Sequence, residues 1–466
     1  MFQTICDLIP NDPDLPARAR RLDILGRVLD GTLYDVLPYE FHDERSAAGE
    51  YIPLRRRRPS VRYALSRVVV EDSVALLFSE GHFPAVQSPD GAVRDVLSAI
   101  ARECRLNQVM VEAATRGSVG SSAILLRVLR GRVFLDVLDT AWLSPRWEAE
   151  VPDVLAQVVE RYKAPGADLA AAGLAVAEPS ATYWFERRWD TEWETWFLPH
   201  PVGSAVAPVR DEARSVRHGL GFVPVVWIKN LPGGIGPDGS CTFRAAVETG
   251  IEIDYQLSQA GRGLKYSSDP TLLIKEPAGI DGELVRGAAN ALVVSEKGDA
   301  RLLEINGTAA GAVLEYVRML RELALEGVHG NRAEASRMTV PMSGRALELM
   351  NQGLVWLADQ LRVSYGEGGL LAVLRMILRA GAVYPLVAGG MKVGDLDTEA
   401  ALNLVWPPWY AATSEDRGRD AATVVSLVAA GQMSRATGMR VLAADWGVDA
   451  AAEMALMDAG SGGMRA

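Results

Sequence analysis

The chain has 466 residues, 49% hydrophobic and 23% charged, with a formal net charge of -11 and a pI near 5.2. This is ordinary globular composition with ample material for a core, and its length suggests roughly two to four domains. The balance is too acidic for a protein that grips nucleic-acid phosphates over its whole surface, although it allows one that lets a polyanion pass without sticking. Cys6, Cys104 and Cys241 are widely spaced, with no metal-ligand spacing, and read as reduced thiols of a cytosolic protein. The start, MFQTICDLIPNDPD, lacks the basic and apolar regions of a secretory signal. No apolar run approaches the ~20 residues of a membrane helix; the longest, VVVEDSVALLF, is cut by Glu71 and Asp72.

Residues 1 to about 110 read as mostly helical. VRDVLSAIARECRLNQVMVEAATRG places Val96, Ile100, Cys104 and Val109 near helical spacing, and predicts a helix ending on Gly117 as its C-cap. β structure follows. SSAILLRVLRGRVFLDVLD is two β-rich runs around Arg130-Gly131, a hairpin signature. ATYWFERRWDTEWETWFLP is a second hairpin candidate, turning at Asp190-Thr191, and GFVPVVWIKN is a short strand whose Pro224 places it at an edge or a strand start. LPGGIGPDGS reads as a loop, and TFRAAVETGIEIDYQLSQAGRGLKY as a helix.

Residues 269–306 hold two apolar runs, PTLLI and NALVVS, and the turn EKGD, which together predict a small β-containing insertion. Helical signal returns in TAAGAVLEYVRMLRELALEG, where Val313, Val317, Leu320 and Ala324 share a face. Residues 331–350, NRAEASRMTVPMSGRALELM, then interrupt it. The break is too polar for a buried turn and longer than a hairpin between packed helices needs. A loop flanked by rigid helices projects from the body, so its tip can meet whatever passes. Beyond it, Leu347, Met350, Leu354, Leu357 and Leu361 form the strongest amphipathic pattern in the chain. GGLLAVLRMILRAG extends that helix or begins another. The remainder reads as a Trp/Pro extended piece and two or three short helices, with Ser434 as an N-cap.

Motifs for chemistry are largely missing. LPGGIGPDGS has the glycines of a phosphate-binding loop but no Gly-Lys-Ser/Thr after them, and Gly-x-Ser-x-Gly is absent. His42, His82, His200, His218 and His329 are isolated from one another and fall in no His-Glu-x-x-His. Glu248, Glu252 and Asp254 cluster on one predicted helix, with Glu248 and Glu252 on the same face. A magnesium site is conceivable there, but a solvated or pore-facing acidic face is favoured, because metal-dependent nucleases need further acids from other elements. LRRRRPSVRYALSR, which holds Arg55, Arg56, Arg57 and Arg58, is the one strongly basic cluster. It reads as a phosphate patch or, preferentially, as a surface or subunit-interface segment whose arginines pair with acidic neighbours.

In element order the chain resembles the portal proteins of tailed bacteriophages and gene transfer agents. RVVVEDSVALLFSEGHFP is similar to that family's early wing segment, and SSAILLRVLRGRVFLDVLDTAWLSPRW to its wing hairpin and following strand. HGLGFVPVVWIKNLPGGIGPDGS, then IDYQLS and DPTLLI, resemble the passage from wing into stem helix into clip. PPWY and VAAGQMSRATGMRVL resemble the C-terminal signature.

The resemblance implies an α+β, ring-forming subunit: a mixed wing with β hairpins, a long helical stem, a small β-containing clip and a helical C-terminal crown. Its divisions would be wing 1–243, stem helices 244–268 and 307–331, clip 269–306, tunnel loop 332–343, returning wing 344–411 and crown 412–466. Double-stranded DNA would thread a central channel. Arg332, Glu334, Ser336, Arg337, Met338 and Thr339 would form the tunnel loop, and Glu248, Glu252, Arg262 and Lys265 are candidates for the channel wall. Lys275, Glu276, Asp281, Glu283, Lys297 and Asp299 are candidates for docking the terminase large subunit. The remaining implied partners are copies of the same chain in a homododecamer, the major capsid protein, the scaffolding protein and a head-completion adaptor. No membrane, cofactor, metal or catalytic residue is implied, and the expected location is the virion vertex, after assembly in the bacterial cytoplasm. Two rivals remain: a nucleic-acid-processing enzyme such as a magnesium-dependent nuclease, and another virion structural subunit.

Overall fold

The computed structural model describes residues 1–204, 206–268, 271–277, 294–303, 308–330, 344–410, 413–446 and 448–462. The fold is α+β, with helices around several small antiparallel sheets. The N-terminal part runs α1 (Phe2–Leu8), α2 (Ala17–Asp30), an irregular segment over 37–64, α3 (Leu65–Phe78), β1 (Ala85–Gln87), α4 (Gly91–Glu103) and α5 (Leu106–Gly117).

The single helix expected to end at Gly117 is therefore two. Arg105 adopts a left-handed φ of 51°, which costs a non-glycine residue about 1–2 kcal/mol. The break re-aims the side chains. On an unbroken helix Leu106 would lie about 240° round from Ile100, at 100° per residue. Broken, α4 buries Val93, Val96, Leu97 and Ile100, and α5 buries Leu106, Met110, Ala113 and Ala114. Gly117 is not a left-handed cap either. It is the last helical residue, and a Cβ there would run into the Tyr365 hydroxyl.

β2 (Ser121–Leu129) and β3 (Arg132–Leu138) form the expected hairpin. Its two turn residues, Arg130 and Gly131, both have positive φ (53° and 74°), the tight-turn geometry that matches strand twist. Next come β4 (Leu143–Trp147), β5 (Leu155–Pro165), α6 (Gly166–Ala171), β6 (Thr182–Trp189), β7 (Trp193–Trp196), β8 (His200–Pro201) and β9 (Val216–Arg217). These strands make a sheet of order β4-β5-β6-β7-β9, with β8 also on β6. The β6–β7 turn forms where expected: the Asp190 carboxylate accepts the backbone N–H groups of Glu192 and Trp193, each at 2.8 Å. β10 (Val225–Lys229) starts just after Pro224 and pairs only with β2, at the edge of the order β10-β2-β3.

A helical arm follows: α7 (Val247–Ser268), β11 (Thr271–Pro277), β12 (Val294–Leu303) and α8 (Thr308–Gly327). β11 and β12 pair antiparallel, as the insertion predicts. EKGD, expected as a turn, lies instead within β12, where the pairing slips between Lys275↔Asp299 and Pro277↔Val294. The chain then runs through α9 (Gly344–Met350), α10 (Gln352–Leu361), a π-helical stretch (Arg362–Leu370) and α11 (Leu371–Val383). The π segment fits around its neighbours: a Cβ at Gly366 would meet the Trp406 ring at 2.6 Å, and one at Gly369 would meet Ile228 at 2.8 Å. β13 (Val387–Ala388) and β14 (Met391–Lys392) make a small hairpin, and β15 (Asn403–Val405) returns to pair with β1.

Three helices close the chain: α12 (Ser414–Ala429), α13 (Arg435–Trp446) and α14 (Ala450–Gly462). Ser434 caps α13 as expected, accepting from the Thr437 N–H at 3.1 Å. The capping box at α12, Thr413 with Asp416, escaped the sequence reading.

The largest core cluster joins α3, α4, α5, α10 and α11 to one face of β2 and β10. A buried polar clamp fastens α2 beside it. Asp238, in the glycine-rich loop, takes Arg18 in a two-pronged ion pair at 2.7 and 2.9 Å and Arg21 at 2.8 Å, and accepts from Ser121 Oγ. Arg18 also donates to the carbonyls of Thr140 and Leu143. Asp238→Ala would strand Arg18, whose side chain is only 17% exposed, so an unfolding cost of about 3–5 kcal/mol is expected in a urea titration. Arg21→Ala, which removes a partner that is 41% exposed, should cost less than about 1 kcal/mol.

Candidate functional site: the helical arm and its root

α7 and α8 pack against each other in antiparallel fashion. Ile253, early in α7, shares a cluster with Ala324, Leu325 and Val328 at the far end of α8, and Leu257, Val317 and Leu320 pack against that cluster. The face expected from Val313, Val317, Leu320 and Ala324 is the face α8 turns inward. The side opposite carries Glu315, Arg318, Glu322 and Glu326, but the flank between the two is apolar: Tyr316, Met319 and Leu323 are 41%, 49% and 55% exposed and follow one another at helical spacing.

α8 ends at a tight cap. Gly330 N–H donates to the Leu325 carbonyl at 2.7 Å, and His329 takes a left-handed φ of 54°. A Cβ on Gly353, one residue into α10, would lie 3.5 Å from the His329 carbonyl oxygen. The chain therefore leaves the root of the arm at His329 and is back beside it at Gly353. The tunnel-loop candidates Arg332, Glu334, Ser336, Arg337, Met338 and Thr339 fall between these two points and lie outside the described residues, as do the clip candidates Asp281 and Glu283. Lys275 and Glu276 are on β11, and Lys297 and Asp299 on β12.

The four wall candidates lie along α7 but do not form one set. Glu248 is exposed in the first turn, and Glu252 is half-buried and accepts from Gln256 Nε2 at 2.7 Å. Arg262 pairs with Glu44 of the irregular segment, and Lys265 is exposed near the far end. Asp254, grouped with the two glutamates, is buried and structural. Its carboxylate accepts from the Tyr34 hydroxyl and the Tyr63 N–H, both at 2.7 Å. Burial raises its pKa above the usual carboxylate value, while Tyr63, Tyr34 and the Arg62 charge pull it back.

The basic cluster is mostly consumed within the chain. Arg57 is 1% exposed and donates to the Phe41 carbonyl and the Tyr51 hydroxyl. Arg58 donates to the Leu37 carbonyl and pairs with Glu40, and Arg56 lies over the Tyr39 ring. Arg55 is exposed. The preferred reading, pairing with acidic neighbours, holds for Arg58, Arg62 with Asp35, and Arg67 with Glu71, and a continuous phosphate patch is not formed. Of the histidines, His82 donates from Nε2 to the Trp409 carbonyl and accepts at Nδ1 from the Ser79 hydroxyl, and burial lowers the pKa of His218. No His, Cys, Asp and Glu grouping suited to a metal occurs among the described residues.

The amphipathic stripe that runs from Leu347 to Leu361 turns its middle and end into the core. Leu354, Leu357 and Leu361 are 5%, 4% and 2% exposed and belong to the main core, where α10 packs on α3. They are not an assembly surface, and Met350, 44% exposed, is outside that core. The surface the sequence reading missed is the outer stripe of α8. Its signal was present as Tyr316, Met319 and Leu323, a second apolar periodicity displaced from the first.

No protein family matches the sequence, and no curated protein matches it. Among solved structures, the chain is similar to one from the virion of a native gene transfer agent (GTA) particle. The identity is 11% and the TM-score 0.40, over 83% of this chain and 93% of that one.

Three expected outcomes follow from this geometry. With its folded pKa above the unfolded value, Asp254 favours folding most below about pH 4, and that contribution is lost as pH climbs through the raised pKa. Asp254→Asn should therefore flatten the decline of stability with rising pH above that point, in urea unfolding repeated across pH. Leu357→Ala should cost about 2–5 kcal/mol of monomer stability. Leu323→Lys, on the exposed flank of α8, should change folding by less than about 0.5 kcal/mol in the same urea titration.

Proposed function

We propose that the chain is a virion structural protein, the portal subunit of a phage-like particle, whose ring surrounds a channel for double-stranded DNA. The observation that carries this is the arm. A helix leads out, two paired strands follow, a second helix returns, and the chain is again beside His329 at Gly353. On this reading the residues between those two points supply a loop reaching into a bore, with Arg332 and Arg337 able to touch a phosphate backbone without reading bases. The β11–β12 hairpin at the far end is the place for docking a terminase large subunit and, later, a head-completion adaptor.

Physical logic supports the reading. A channel lined by cations would hold DNA by releasing counterions, so passage favours an acidic or neutral wall with a few mobile contacts. A net charge of -11 suits that wall. The apolar stripe on the outside of α8 suits burial against a neighbouring copy in a closed ring, a homododecamer by the resemblance. The role needs no catalytic residue of its own. The rival nuclease reading is weakened, because, of its three nominated acids, Asp254 is held by Tyr34 and Tyr63 inside the fold and so does not face solvent with Glu248.

Negative-stain micrographs of the purified protein should show rings with a central hole; monomers or closed shells would overturn the assignment. Deleting 333–342 should leave such rings intact while DNA packaging or retention drops, because the segments on either side of the deletion are already held together at His329 and Gly353. A deletion that packages DNA normally would remove the loop from the mechanism.

A further inference from the structure

A cleft of about 770 Å³ lies between the N-terminal helices and the glycine-rich loop 231–240, and the portal reading leaves it without a role. Part of its lining is apolar, from Phe2, Ile24 and Leu25. Part is cationic without a matching acid. Arg20 reaches only backbone carbonyls, Cys6 at 2.8 Å and Ile9 at 3.2 Å, and its buried Nε meets no acceptor. Arg244 lies over the Phe2 ring at 5.0 Å and forms no ion pair among the described residues. The acid in the lining, Asp238, is already held by Arg18 and Arg21. The two free cations converge: both pull the Cys6 thiol toward thiolate, against a burial that raises its pKa.

The loop adds donors. The amides of Gly233, Gly234 and Ile235 reach no acceptor among the described residues. The loop also requires its glycines, since Gly233 has φ 87° and a Cβ at Gly234 would collide with the Asp238 carbonyl. Uncompensated guanidinium groups and open backbone amides beside an apolar wall select an anion attached to an apolar body. A bare phosphate would not use Phe2, Ile24 and Leu25, and a nucleic acid would need a longer basic track than one cleft in an acidic protein provides. The volume suits a few side chains.

We propose that this cleft binds an acidic, apolar-flanked peptide segment of a partner protein, its carboxylates on Arg20 and Arg244 and its apolar side chains on Phe2, Ile24 and Leu25. The inference is independent of the portal reading. The test uses full-length protein and a fluorescein-labelled peptide of alternating aspartate and leucine, followed by anisotropy. Saturable binding is expected, weakened about tenfold or more by Arg244→Gln. Arg102→Gln, at an exposed position of α4, should leave it unchanged. Arg244 is exposed, so its variant should melt like wild type and remain readable even if Arg20→Gln destabilises α1. The proposal is overturned by an Arg244→Gln variant that binds like wild type, by equal binding of a lysine-leucine peptide, by inorganic phosphate displacing the peptide at equal concentration, or by no binding at millimolar peptide.

Discussion

The ion pair between Asp238 and Arg18 is the constraint on which the N-terminal half depends. Asp238 is 220 residues from Arg18 in sequence, and between them they reach α2, β2, the β3–β4 connection and the glycine-rich loop. Each end is satisfied several times over. That is the condition under which a buried charge pair orders a structure rather than weakening it, because the desolvation of both ions is offset by further hydrogen bonds. The clamp seats α2 against β2 and brings the loop 231–240 beside the N-terminal helices. It also ties down Asp238, which leaves the neighbouring Arg20 and Arg244 without a carboxylate.

A second constraint acts at the root of the arm. α3, the first turns of α7 and the last turns of α8 share one small cluster around Leu65, Val69, Ile253 and Leu325. Two buried polar contacts, Asp254 to Tyr34 and Tyr255 to the Arg57 carbonyl at 2.8 Å, lock α7 to Tyr34 and to the irregular segment that follows it. The arm is thus rigid where it joins the body. Farther out, α8 keeps apolar side chains in water on the flank beside its α7-facing side. A lone monomer gains nothing from exposing Tyr316, Met319 and Leu323 together, and burial against a second copy would remove that surface from water.

The large six-stranded sheet is held in another way. Arg161 lies over Trp184 at 4.1 Å, Arg187 over Trp189 at 4.4 Å and over Trp196 at 4.8 Å, and Arg210 over Trp193 at 4.3 Å. These arginines cover aromatic rings with their planar faces and still reach carboxylates at their edges, as Arg187 does with Glu160 at 2.7 Å. The abundance of Arg and Trp in this region is explained by packing within the sheet. The same holds at Arg362, which lies over the Trp406 and Trp409 rings and whose pKa burial lowers to about 10.

Local signals in the sequence determined the hairpin at Arg130-Gly131, the turn at Asp190, the edge position of β10, the inward face of α8 and the cap at Ser434. Each depends on a few neighbouring residues whose backbone preferences or periodicity act over one turn or one strand. Where distant segments compete for the same side chain, tertiary structure decided. It split α4 from α5, because Ile100 and Leu106 must enter one core from different angles. It drew Leu354 and Leu357 into that core, since a leucine stripe is the same whether α3 or another subunit covers it. It buried Arg57, made Asp254 a partner of Tyr34, and set Arg20 and Arg244 around one cleft, because charges find their partners through space and sequence spacing carries no record of that distance.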